Sequence, residues 1–178
     1  MEKQLDKKSS RYVRRNILTA LYQLMLEKPF SEIRIQDIAQ RAGVSRVSYY
    51  RNYKSKEDIL DSYMLYETSR FHELHSGEEE EEYLTHLLAH LKTFKDKFEL
   101  LYKNNLSYLI AEHIYQWCGP LKETEDSEAY LLSAKSYAVF GFIDEWIKRG
   151  MNGEPNEVAK ELLKDLEGFN LKVNKIKL

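Results

Sequence analysis

The sequence predicts an all-α protein: an N-terminal three-helix helix-turn-helix head followed by a larger helical body. Three observations carry that prediction. Helix breakers are scarce, with 7 glycines and 3 prolines in 178 residues. Apolar residues recur at three- and four-residue spacing from Val13 to Phe169, the period of helices with one buried face. The breakers that do occur, such as Pro29, Gly43 and Gly119-Pro120, fall between these runs, where helices stop.

Composition narrows the class further. With 43% hydrophobic residues, the chain can bury a sizeable core. Its one cysteine, Cys118, rules out an intrachain disulfide framework and fits a reducing compartment. The opening MEKQLDKKSSRY has no apolar signal region, and no stretch approaches the roughly 20 apolar residues of a membrane span. A cytoplasmic protein without membrane contact is expected. Net charge is −2, but residues 1–60 carry +6 and residues 61–178 carry −8. A basic end on an acidic body is the asymmetry of a chain that meets nucleic acid at one end; chance clustering of solvated charge would look the same.

The first helix opens with a basic cluster, Lys7, Lys8, Arg11, Arg14 and Arg15. Val13, Ile17, Ala20, Leu21 and Leu24 then form its apolar face, and Pro29 ends it. Ile35, Ile38, Ala39 and Ala42 mark a short second helix, closed by Gly43, which adopts positive φ freely. Ser45 is a good N-cap for a third. In that helix Tyr49 and Tyr53 face inward, while Arg46, Val47, Tyr50 and Arg51 face outward. Such a helix suits a major groove about 12 Å wide. A fourth helix runs from about Ser55 to Leu74, with Ser55 and Asp58 spaced as a capping box. Its Ile59, Tyr63 and Tyr66 face is expected to pack against the body.

The stretch from Arg14 to Met64 resembles the DNA-binding region of the TetR (tetracycline-repressor) family of bacterial transcription regulators. The matching residues are Asp37-Ile38-Ala39, Ala42-Gly43-Val44-Ser45, Ser48-Tyr49-Tyr50, Tyr53 and Lys56-Glu57-Asp58. The sequence departs from the family's usual residues at Arg34, Val47 and Asn52. The resemblance implies a head over residues 1–54 and an effector-binding and dimerisation body over 55–178, joined by the helix at about 55–74. It implies phosphate contacts from Tyr50, Lys56, Ser48, Arg34 and Lys54, with Ser45 at the helix start. Bases would be read by Arg46, by Val47 against a thymine methyl, and by Arg51.

In the body, Gly77 and the run Glu78–Glu82 read as a solvated connector that favours the start of the next helix through its dipole. Leu84, Leu87, Leu88, Leu91, Phe94 and Phe98 continue a helical pattern to a turn at Asn104-Asn105. A helix from Leu106 to Cys118 follows, then a long one from about Ser127 to Gly150, then an amphipathic one from Asn156 to Phe169. The tail NLKVNKIKL shows no period. The segment around Ala134, Ala138, Gly141, Phe142 and Trp146 is apolar nearly all round, so it must be covered all round. With Leu162 and Leu166 of the last helix it is expected to form a homodimer contact. The resemblance implies an effector pocket; Phe98, Tyr102, Tyr108, His113 and Trp117 are its candidate lining.

Neither a metal nor a cofactor is expected. His72/His75 and His86/His90 have helical spacing, but no cysteine cluster or HExxH motif accompanies them. The sequence holds no GxSxG, P-loop or GxGxxG. Asp144-Glu145 point different ways on their helix, so an acid/base pair and catalysis are not expected. The expected function is that of a dimeric repressor, binding a palindromic duplex operator and released by a small molecule. Two alternatives stay open: control of the same regulator by a protein partner, or a helical metal-binding or enzymatic bundle.

Overall fold

The computed structural model describes residues 2–168, with side chains from Ser10 to Lys164. Phe169 and the tail lie outside the described residues, as do the side chains of Lys7, Lys8 and Leu166. The described residues form helices and turns only. They divide into two compact units, residues 1–67 and 68–178.

In the first unit, α1 (Glu2–Glu27), α2 (Ile35–Arg41), α3 (Arg46–Tyr50) and the start of α4 (Lys56–His75) share one core. Ile17 and Leu21 of α1, Ile38 of α2, Tyr49 of α3 and Ile59 of α4 each have 0% exposure. Every helix thus commits at least one side chain to the centre, each worth roughly 1.5–3 kcal/mol on burial. α1 stops at Glu27, just before a single 3₁₀ turn, Phe30–Glu32, that Pro29 introduces. Gly43, at φ +66°, turns the chain from α2 toward α3, as expected of a glycine past a helix end. Two ion pairs hold α2 to the end of α1. Arg41 Nη1 and Nη2 bond Glu27 Oε1 and Oε2 at 2.8 Å each, and Lys28 Nζ reaches Asp37 at 2.6 Å.

One expectation about α4 is corrected. Tyr63 meets Tyr22 of α1 edge-on, ring centroids 6.5 Å apart, and Ile59 is buried in the same unit. That apolar face therefore serves the head, while Tyr66 is 60% exposed.

The second unit holds the end of α4, then α5 (Glu80–Lys92), α6 (Lys95–Lys103), α7 (Ser107–Cys118), α8 (Asp126–Lys148) and α9 (Pro155–Gly168). α5 packs along α9, and α7 along α8. The sequence shows no break between Tyr83 and Phe98, yet the chain turns at Thr93-Phe94. Thr93 Oγ1 donates to His90 O at 2.7 Å, satisfying a carbonyl at the end of α5 without glycine or proline. Glu80, Glu81 and Glu82 fill the first turn of α5, where the helix dipole favours them.

α8 divides its apolar surface. Ser136, Ile143, Trp146 and Ile147 are buried within the chain, and Trp146 Nε1 donates to Asn152 O at 2.8 Å. Leu162 is also buried, on α9. Trp146 and Leu162, expected at a dimer contact, are instead buried within the chain itself, Leu162 on the helix that packs along α5. Ala134 and Gly141 are exposed, and Ala138 and Phe142 are partly so.

Candidate nucleic-acid interface

Helix α3 is short, so its shape depends on bonds at its two ends. Ser45 Oγ accepts from Ser48 N–H at 3.0 Å, the expected N-cap. Tyr49 is buried and donates its hydroxyl to Ser55 O at 2.8 Å, bonding α3 to the start of α4. Its ring lies edge-on to Tyr50, centroids 5.4 Å apart. Burial raises the Tyr49 phenol far above its ordinary value, so it stays protonated and donating. At the other end Asn52 Nδ2 donates to Ser48 O at 2.8 Å, while its Oδ1 accepts from Ser10 Oγ at 3.1 Å and Arg14 Nε at 3.2 Å.

The outward face is as expected. Val47 is 62% and Tyr50 52% exposed, with Arg46 and Arg51 exposed beside them. Arg34 and Lys54 are exposed too, with their backbone N–H groups already used. Arg34 N donates to Asp37 Oδ2 at 3.1 Å and Lys54 N to Asp58 Oδ2 at 2.6 Å. Ser55 Oγ accepts from Asp58 N at 3.1 Å, so the Ser55–Asp58 cap forms, with Asp58 reaching back to Lys54. Lys56 differs from the rest. Its Nζ donates to Phe30 O at 2.6 Å and lies 4.3 Å from the Phe30 ring centroid. Burial holds its pKa below the ordinary lysine value. The ammonium thus has a structural partner that any phosphate would have to displace. The sequence marks Asn52 only as a departure from the family pattern, with no bonding role; only the fold brings Arg14 to it.

Within the second unit, His113 and Trp117 of the expected pocket set come together. Their rings lie 6.5 Å apart at 26°. Thr68 Oγ1 is 2.8 Å from His113 Nε2, and the His72 ring lies 6.0 Å from Trp117 and 6.2 Å from Tyr83. The Trp117 indole N–H and His72 Nδ1 are buried with no hydrogen-bond partner among the described residues. Thr68 and His72 were legible only as an i, i+4 pair on α4, a spacing too common to single out. The other expected lining residues lie differently. Phe98 is buried in α6, Tyr108 is 45% exposed, and Tyr102 donates its hydroxyl to Asp144 Oδ1 at 2.6 Å.

The groups weighed for catalysis are committed to structure. Asp144 also accepts from Lys148 Nζ at 2.6 Å, and Glu145 pairs with Arg149. Burial pushes the Cys118 thiol up to about 11, which leaves little thiolate near neutral pH. No helix among the described residues is long and apolar enough to cross a membrane.

A capped, outward-facing helix locked behind a tight turn on two supporting helices defines a helix-turn-helix DNA-binding head. Comparison with known proteins shows what this head is similar to. The model for bacterial regulatory proteins of the tetR family matches residues 17–63. An uncharacterized HTH-type transcriptional regulator of Bacillus subtilis (strain 168), YdeS, is 35% identical over 71 residues, 39% of this chain and 36% of that relative. The match thus spans little more than a third of the relative's length. Among solved structures, the dihydroxyacetone kinase operon activator DhaS is similar over 88% of this chain and 95% of its own, at 16% identity and TM-score 0.52. Thermus thermophilus FadR, a TetR-family repressor solved in complex with lauroyl-CoA, gives TM-score 0.49 at 22% identity, over 93% of this chain and 98% of its own. Residues 17–63, which make up most of the head, are thus similar to the DNA-binding region of the tetR family of bacterial regulatory proteins.

Proposed function

We propose that the chain is a homodimeric, sequence-specific transcriptional repressor that binds a palindromic operator and is released by a small molecule. The observation that carries the DNA-binding part is α3, fixed at both ends by Ser45 and Asn52 while Arg46, Val47, Tyr50 and Arg51 face outward. Arg46 and Arg51 suit guanine edges, and Val47 suits a thymine methyl. Ser48, Tyr50, Arg34 and Lys54 suit phosphates; Lys56 would join them only by leaving Phe30 O. The direct test is operator selection from random duplex DNA followed by titration across salt. Affinity should fall steeply, as counterions leave roughly 6–10 phosphates per dimer. An affinity independent of salt would overturn the reading.

The dimer reading rests on the open side of α8. Tyr130, Leu131 and Tyr137 are 71%, 47% and 60% exposed and lie along the same helix as exposed Ala134 and Gly141. A Cβ at Gly141 would meet nothing within 4 Å among the described residues. Glycine costs a helix interior roughly 0.5–1 kcal/mol relative to alanine, and no contact among the described residues repays that. Close approach of a second copy's helix would. The α8 and α9 helices of both copies would then form a four-helix contact.

Control by a small molecule is supported by the Thr68, His72, His113 and Trp117 cluster. Buried polar atoms without partners are rare in folded proteins, and Trp117 Nε1 and His72 Nδ1 are two in one aromatic cluster. A planar or aromatic ligand carrying a hydrogen-bond acceptor would satisfy the indole. Because α4 carries Ile59 and Tyr63 at one end and Thr68 and His72 further on, a ligand there can bias the helix that also supports the head.

A further inference from the structure

We propose that His75, Glu78 and His86 form a binding site for a divalent transition-metal ion of the Zn²⁺ class. His75 closes the last turn of α4, Glu78 sits in the following turn, and His86 lies on α5. The fold brings them together: His75 Nδ1 is 2.7 Å from Glu78 Oε1, and His86 Nδ1 is 2.8 Å from Glu78 Oε2. All three ligand atoms lie within 4.8 Å of one another. An ion held at about 2.0–2.2 Å from nitrogen and oxygen ligands needs them only slightly rearranged.

The two imidazoles are already oriented. The Phe71 ring stacks on His75, centroids 4.3 Å apart at 23°, and the His75 and His86 rings are 4.9 Å apart. Both present the same nitrogen, Nδ1, to separate oxygens of one carboxylate. Moving each imidazole proton from Nδ1 to Nε2 exposes two lone pairs toward one point, next to an anion. The His75, Glu78 and His86 side chains keep 25%, 21% and 44% of their surface exposed, so an ion can enter and water can complete its shell. Two imidazoles and one carboxylate suit Zn²⁺, Co²⁺, Ni²⁺ or Cu²⁺, whereas Mg²⁺ and Ca²⁺ prefer oxygen throughout. The neighbouring Glu79, Glu81 and Glu82 add negative potential that draws cations in.

Helical spacing alone pairs these histidines wrongly. It suggests His72 with His75 and His86 with His90, on separate helices. The turn after α4 instead aims His75 across to α5 and supplies Glu78 from the connector.

Metal binding can be measured without DNA. Tag-free full-length protein is titrated with Zn²⁺ by calorimetry and with Co²⁺ by visible absorption, alongside His86→Ala, Glu78→Gln and His90→Ala. Wild type and His90→Ala should bind one ion per chain, with Co²⁺ d–d bands of low-symmetry four- or five-coordination. His86→Ala and Glu78→Gln should lose at least the roughly 10- to 100-fold in affinity that even outer-shell changes cost. Circular dichroism of Glu78→Gln, a near-isosteric change on the surface, checks that the fold is intact. Wild type without stoichiometric binding, or Glu78→Gln binding as tightly as wild type, would mean the three residues are only a hydrogen-bonded cluster.

Discussion

Arg14 Nε donates to Asn52 Oδ1 at 3.2 Å, joining α1 to the residue that caps α3. Arg14, one of the basic cluster at the start of α1, is thereby part of the support behind α3. Asn52 bonds to Ser48 O as well, so one side chain ties the far end of α3 to α1.

Asn52→Ala should therefore act on stability and on DNA together. Net hydrogen-bond contributions of about 0.5–1.5 kcal/mol each put the loss near 1–2 kcal/mol, since the bonds are only partly buried. Urea denaturation would measure this. Operator affinity should fall at every base position alike. A variant with altered preference at a single position would instead mark Asn52 as a base reader.

Arg46→Ala should cost about 1–3 kcal/mol of operator binding and relax preference at one base position per half-site. Tyr50→Phe should weaken all sequences similarly, because a hydroxyl on phosphate carries no base information. Fluorescence anisotropy with singly mutated operators separates the two outcomes.

Gly141→Glu should give monomers by sedimentation velocity without unfolding the chain. A Cβ there would meet nothing within 4 Å among the described residues of one copy, which leaves room for a side chain. If the interface is obligate, it should bury about 2,000 Å² or more in total. A wild-type monomer at micromolar concentration would remove the dimer reading.

A ligand that stabilises the body in a thermal-shift screen should bind more weakly when operator is present. Coupling of about 1–3 kcal/mol would give a 5- to 150-fold change, equal in both directions by linkage. Trp117→Phe, which removes the buried indole N–H, should weaken such a ligand while sparing operator binding. A ligand indifferent to operator is no effector.

The Tyr102–Asp144 bond should show in the acid limb of stability. Burial pushes the Asp144 carboxyl up, but hydrogen bonds from Lys148 and Tyr102 outweigh it and hold the pKa below its ordinary 3.8. The unfolded chain then binds the proton more readily. The bond's contribution is complete above that value and is lost as pH falls through the folded-state pKa. Asp144→Asn should flatten this part of the pH dependence, followed by denaturation between neutral and acid pH.

The helices of the head were legible because local signals agree there. Pro29, Gly43 and Ser45 are stop, turn and cap, and the i, i+3, i+4 spacing of Ile35, Ile38 and Ala39 can bury only one face. Tyr49 and Tyr53 turned inward and Arg46 and Tyr50 outward because a 3.6-residue period leaves no other arrangement once the core side is chosen. These are properties of residues close in the chain, and sequence spacing is enough to read them.

Partner choice across helices depends on the tertiary structure. Asn52 could bond to Arg14 only once α1 crossed behind α3. Lys56 found Phe30 O, and Tyr63 found Tyr22, only once α4 packed against the earlier part of the head. In the body, spacing marked Trp146 and Leu162 as apolar but could not say whether their own chain or a second copy would cover them; both are buried within the chain. His75, Glu78 and His86 meet for a similar reason. A turn redirects the chain by an angle that no periodicity encodes, so side chains 11 residues apart share one point.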